Sequence, residues 1–160
     1  MEIADLSNLT NILIGVVVVG LLLVRQMQAR PTRETSSVRI VLVLAVIGIF
    51  QIKDAIGSQS LGATTVGWLV LSLIIGAAMG AIRAVTVKIW RTDTGVAWRK
   101  GTTLTAALWL ISLVVHFVLE AEINHSTKLA ALGASSILLY LAVTLGVQRE
   151  IVRWRAAKLP

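Results

Sequence analysis

Five apolar runs, each close to the length of a membrane-crossing helix, divide this 160-residue chain, and its basic residues gather on alternate connections between them. Arg25, Arg30, Arg33 and Arg39 follow the first run. Arg83, Lys88, Arg91, Arg99 and Lys100 follow the third. Arg149, Arg153, Arg155 and Lys158 follow the fifth. Of the 15 Lys and Arg residues, only Lys53 and Lys128 lie elsewhere. About 20 residues of α-helix cross a hydrocarbon core of roughly 30 Å, and cytoplasmic loops carry the excess of Lys and Arg. The pattern predicts an all-α membrane protein: a single five-helix transmembrane domain over residues 1–160, N-terminus outside and C-terminus in the cytoplasm. The expected spans are residues 9–24, 38–56, 66–85, 102–121 and 129–148.

Composition agrees with that reading. The residues are 56% hydrophobic and 14% charged, against roughly 45–50% and about 25% for soluble domains. A pI near 10.9 follows from the loop charges, not from a nucleic-acid face; no nucleic-acid motif is present, and no nucleic-acid partner is expected. The absence of cysteine excludes disulfides, iron–sulfur clusters and CxxCH haem attachment. Glu2 and Asp5 precede the first run and the positive charge follows it, the reverse of a secretory signal peptide. The first run therefore reads as an uncleaved anchor. Asn8, Thr10 or Asn11 can cap its outer end, Pro31 ends the helix, and Ser36 or Ser37 can cap the next.

Between the third and fourth runs stands VKIWRTDTGVAWRKGT. Asp93 favours a turn and Gly95 permits positive φ, so Val87–Arg91 and Val96–Arg99 read as a short cytoplasmic β-hairpin. Trp90 and Trp98 then join the aromatic belt at the membrane surface. Arg83, Lys88, Arg91, Arg99 and Lys100 form a basic cluster beside a span, expected to meet anionic lipid of the cytoplasmic leaflet; Arg83 would snorkel to reach it, or bind another anionic ligand or partner with its neighbours.

Within the spans, Gly76 and Gly80 form GxxxG, which lets helices approach closely. Tight packing within the chain is the favoured reading, with a homo-oligomer or a membrane-protein partner as the alternative. Ser136, Tyr140, Thr144 and Gln148, each four apart, form a polar stripe expected to face other helices.

His116 and Glu120 share one helix face. Ionisable groups at that depth usually face the bundle interior. They are candidate metal ligands near the outer surface, together with Glu122, His125 and Asp54. A haem would need His116 or His125 as an axial ligand. The favoured expectation is plainer: an internal His116–Glu120 hydrogen bond and no cofactor. No HExxH, GxSxG or Walker loop occurs, so no enzymatic activity is expected.

The block GAAMGAIRAVTVKIWRTDTGVAWRKGTTLTAALWL, with VRQMQARPTR after the first run, resembles the CcdC-like family of small bacterial integral membrane proteins, mostly uncharacterised and in particular its actinobacterial members. The resemblance is sharpest at Gly76, Gly80, Arg83, Thr86, Trp90, Asp93, Gly95, Trp98, Gly101, Thr102 and Trp109. It implies a multi-pass protein of the bacterial plasma membrane. The family name implies cytochrome c maturation, in which a chain without thiols would act indirectly. The expected function is that of a non-enzymatic accessory or scaffold subunit; metal, proton or haem handling at the His116–Glu120 site is the alternative.

Overall fold

The computed structural model describes residues 17, 19–32, 35–57, 62–127 and 132–160. A helical stretch over residues 19–27 leads into strand β1 (Arg30–Pro31). Helices α1 (Thr35–Ile56) and α2 (Ala63–Thr86) follow, then strands β2 (Lys88–Arg91) and β3 (Ala97–Lys100), then helices α3 (Thr103–Thr127) and α4 (Leu132–Ala157). Glu2, Asp5, the capping candidates Asn8, Thr10 and Asn11, the outer part of the first expected span, and residues 128–131 lie outside the described residues. Helix α1 already begins at Thr35, so Ser36 and Ser37 fall inside its first turn and not ahead of it.

The chain is mostly helical, and among the described residues two helices are long and apolar enough to cross a membrane: α2 and the Thr103–Ile123 part of α3. Helices α1 and α4 carry more charge, at Arg39, Lys53 and Asp54 in the first and at Arg149, Glu150, Arg153 and Arg155 in the second. The radial distribution of polarity is inverted relative to a water-soluble protein. Leu42, Val46, Phe50, Val70, Ile74, Leu110, Val114 and Phe117 are exposed, while Ser72, Arg83, His116, Thr144 and Gln148 are buried.

Helix α4 is the centre of the bundle; α1, α2 and α3 all pack on it. Trp109 and Leu113 of α3 meet Leu141 and Leu145 of α4 in the main apolar cluster, to which Leu22, Leu23, Val41 and Leu44 add from the other elements. Two glycines set the closest approaches. A Cβ on Gly48 of α1 would lie 2.5 Å from the Leu139 amide nitrogen, and one on Gly80 of α2 would overlap the Thr144 carbonyl oxygen. Gly76 faces the same helix, with the Tyr140 ring 3.0 Å from where its Cβ would stand. The GxxxG face is thus spent on packing within the chain.

The three strands form one antiparallel sheet in the order β1-β3-β2. The expected hairpin is present, with bonds from the Thr92 amide to the Val96 carbonyl (3.0 Å) and from the Gly95 amide to the Thr92 carbonyl (2.8 Å). Gly95 takes φ +77°, a value that costs glycine little. The third strand is a departure from the expected loop. Pro31 pairs at the sheet edge, where a missing amide donor does no harm, and the Thr32 amide extends the ladder to the Ala97 carbonyl at 2.9 Å.

Hydroxyls close the junction of sheet and bundle. Thr102 caps α3, and its hydroxyl and that of Thr105 bond each other's backbone amides reciprocally (3.2 and 3.0 Å). Thr105 also meets the Thr86 hydroxyl at 2.8 Å. Arg155 of α4 donates to the Ala84 and Val87 carbonyls, supplying partners to the orphan end of α2.

The glycine contacts predict a graded outcome. Gly48→Ala and Gly80→Ala each destabilise by about 1–3 kcal/mol through overpacking, seen as a lower thermal unfolding midpoint in detergent. Gly67, with nothing within 4 Å of its would-be Cβ, gains up to about 1 kcal/mol on substitution by Ala.

Candidate functional site

Three polar stripes converge inside the bundle. Helix α2 supplies Ser72 and Arg83 along the face that carries Gly76 and Gly80. Helix α3 supplies Thr105, Trp109, Ser112 and His116, and α4 supplies Ser136, Tyr140, Thr144 and Gln148; all are buried. Spacings of three, four and seven put each set on one helical face. The α4 stripe read from the sequence does face its neighbours. The Tyr140 hydroxyl lies 2.9 Å from the Ser112 hydroxyl and donates to the Ser112 carbonyl at 3.1 Å. Gln148 Nε2 donates to Gln26 Oε1 at 3.1 Å. Thr144 turns back to the Tyr140 carbonyl of its own helix.

Arg83 is the outlier of this interior. It does not snorkel outward: it is 0% exposed, and its Cζ sits 4.8 Å from the centre of the Trp109 ring. Cation–π contact with Trp is the strongest of its kind, yet it satisfies no N–H. Nε, Nη1 and Nη2 have no hydrogen-bond partner among the described residues, and neither has Trp109 Nε1. Desolvating a guanidinium without an acceptor costs several kcal/mol.

His116 is also 0% exposed, with its ring centre 4.6 Å from that of Tyr140. Neither ring nitrogen has a partner among the described residues, so the expected His116–Glu120 hydrogen bond is not formed. Glu120 is half-buried, while Glu122, His125 and Asp54 are exposed. Among the described residues no three His, Asp or Glu side chains gather as metal ligands. The proposed metal set His116, Glu120, Glu122, His125 and Asp54 is therefore not brought together; the imidazole lies against an aromatic ring on α4.

The basic cluster read from the sequence is likewise divided, by strand alternation. Lys88 pairs directly with Lys100, and Trp90 with Trp98, across β2 and β3. These four share one face. Ile89, Arg91, Ala97 and Arg99 share the other, which packs toward α4: Ile89 joins Val87, Ile151 and Val152, and Arg91 donates to the Leu159 carbonyl at 3.2 Å. A cleft of about 580 Å³ lies between this face and the end of α4, with Arg91, Glu150, Arg153 and Trp154 on its walls. Glu150 is held by Arg149 and Arg153, and Lys158 stacks on Trp154 with Nζ 3.5 Å from the ring centre.

Sequence reading had Tyr140 and Gln148 as packing residues and missed the inward turn of Arg83 and the place of Trp109 above it. The signal was available: Arg83 continues the Gly76–Gly80 face, and Trp109 and His116 are seven apart on theirs.

Replacing Arg83 by Met, of similar volume, should raise thermal stability by about 1–4 kcal/mol, as removal of an uncompensated buried ion does. Tyr140→Phe should lower it by about 1 kcal/mol, because Ser112 loses its partner. Unfolding midpoints of the two variants in one detergent check both signs.

No protein-family model, no curated protein and no solved structure matches this chain.

Proposed function

We propose that this chain is a non-enzymatic accessory or scaffold protein of a bacterial plasma membrane, crossing it five times with its N-terminus outside and its C-terminus in the cytoplasm, and that its sheet is the surface it presents to the anionic inner leaflet. The observation that carries this reading is the Lys88–Lys100 and Trp90–Trp98 pairing on one sheet face. Like charges directly opposed across an antiparallel pair repel. A phosphate between them turns that repulsion into attraction, and two Trp rings beside it suit the headgroup layer.

The five-span reading draws support from the apolar outer surface of α1, α2 and α3 and from the buried polar stripes of α2, α3 and α4. The orientation rests on the Lys and Arg asymmetry alone. The resemblance to CcdC-like proteins is in keeping with both.

A second reading, ligand handling inside the bundle, is favoured by the unpartnered donors of Arg83 and His116. Proteins tolerate such groups chiefly where they serve function. A small anion that co-purifies with the protein and is lost in both Arg83→Met and His116→Ala would support it; stoichiometric metal or a Soret band lost in His116→Ala would support metal or haem handling instead.

Two measurements test the favoured reading. A reporter fused after Gly95 should be cytoplasmic; an extracytoplasmic result refutes the orientation. In proteoliposomes, brominated phosphatidylglycerol should quench tryptophan fluorescence more than brominated phosphatidylcholine. The difference should disappear in a Lys88→Gln, Lys100→Gln variant and shrink in high salt.

A further inference from the structure

Arg83 enters the core with its charge uncancelled. Its side chain is 0% exposed, and Nε, Nη1 and Nη2 have no hydrogen-bond partner among the described residues. Of the described carboxylates, Asp54, Asp93, Glu122 and Glu150 are exposed. Glu120 stands beyond Trp109 on α3 by roughly 16 Å of helix axis, toward the end of the bundle away from the sheet. The nearby hydroxyls are engaged with one another or with the backbone. Thr105 bonds Thr86 and Thr102, Thr144 turns to the Tyr140 carbonyl, and the Tyr140 hydroxyl meets Ser112. The unpartnered side-chain oxygen of Gln148 belongs to a residue that lines a recess with Leu22, Gln26 and Val41, to which Arg83 does not contribute.

Beside Arg83 is a second donor in the same condition. Trp109 is 0% exposed and its Nε1 is unpartnered among the described residues, and Arg83 Cζ lies 4.8 Å from the centre of its ring. Both groups only donate; neither a guanidinium nor an indole N–H accepts a hydrogen bond. An ion at the edge of the ring can take the indole N–H and a guanidinium N–H together. The enclosure then limits what can bind. Ala84, Thr105, Tyr140 and Thr144 are 0% exposed as well, so a headgroup tethered to acyl chains is shut out. A single guanidinium cancels a single negative charge; a second would itself be buried unpaired.

We infer that Arg83 and Trp109 bind one small monovalent inorganic anion, of the size of chloride, inside the bundle near its sheet end. Such an ion supplies both the counter-charge and the acceptor that the guanidinium lacks, and in apolar surroundings those contacts are stronger than in water. The site is narrower than the ligand-handling reading of the whole interior. His116 lies roughly 10 Å along α3 from Trp109, beyond the reach of an ion held by Arg83.

The test is equilibrium binding of radioactive chloride to the full chain in detergent, with sodium gluconate holding the ionic strength fixed, beside thermal unfolding in the same buffers. The wild type should bind one chloride per chain saturably, and a hundredfold excess over Kd should raise its unfolding midpoint by about 5 °C. Arg83→Met should abolish both effects. That variant is expected to fold at least as stably as the wild type, so its loss of binding is not a loss of fold. Trp109→Phe keeps an aromatic ring and removes the N–H, and should weaken binding about tenfold. His116→Ala, and Lys88→Gln with Lys100→Gln, should bind chloride as the wild type does. No saturable chloride binding to the wild type overturns the inference, and so does binding that survives in Arg83→Met. Loss in the lysine variant assigns the ion to the sheet face and overturns the buried site. Loss in a cooperatively unfolding His116→Ala as well as in Arg83→Met overturns the local site in favour of the wider ligand-handling reading.

Discussion

Contact of Gly48 and Gly80 with the backbone of α4 is the constraint on which the other arrangements depend. Each glycine brings a neighbouring helix to within backbone distance, one at Leu139 and the other at Thr144. With α1 and α2 so close, the side chains of α4 that point at them must be small or must reach past them. Thr144 turns back on its own helix. Tyr140 extends over Gly76 to Ser112 on α3, and Gln148 extends to Gln26. The polar contacts of the bundle are therefore consequences of its closest packing. In an apolar solvent this is the expected order of causes, since van der Waals fit and interhelical hydrogen bonds replace the hydrophobic drive.

The same packing decides where the positive charge can go. The sheet is tied to the bundle by Thr86, Thr102 and Thr105 on one side and by Gln26 and Gly101 on the other. Once its plane is fixed, alternation leaves no freedom: residues of β2 and β3 two apart share a face. A cluster that reads as one patch along the chain becomes three environments. Lys88 and Lys100 stand on the outer face. Arg91 and Arg99 look toward α4. Arg83, one turn before the end of α2, is drawn into the core because it lies on the glycine face that must touch α4.

Much of the helical layout was legible from residues. The alternation of apolar runs with basic connections located the starts of α1 to α4 to within about three residues, while α3 and α4 run on to Thr127 and Ala157, past the expected span ends at 121 and 148; Asp93 and Gly95 marked the hairpin. The α4 stripe was readable because its members repeat every four residues and cannot all face lipid. What escaped was of a different physical kind. Strand β1 has two residues, too few to set a period, and it exists only because β3 offers an edge. Likewise, the spacing of His116 and Glu120 fixes a shared helix face but not the rotation of that helix against its neighbours. The ring stacks on Tyr140 because Ser112, one turn away, bonds the Tyr140 hydroxyl and sets that rotation. A pairing along one helix was outweighed by a contact between two.

Arg83 gathers the remaining tension in the structure. A guanidinium with no exposed atoms and no acceptor among the described residues is a liability that packing alone does not require, since Leu or Met would fill the volume. The Trp109 ring answers part of the charge through its π face and none of the five donors. Residues retained against local stability tend to mark function. The neighbours narrow what that function could be. Ser72 Oγ, Trp109 Nε1 and both His116 nitrogens are also unpartnered within the described residues. Arg83 is thus a buried positive charge without a fixed counter-charge among the described residues, with the Trp109 donor beside it, the reverse of what a cation site requires. Chemistry here favours an anion or a neutral acceptor over the metal that His116 and Glu120 invite when read along the chain.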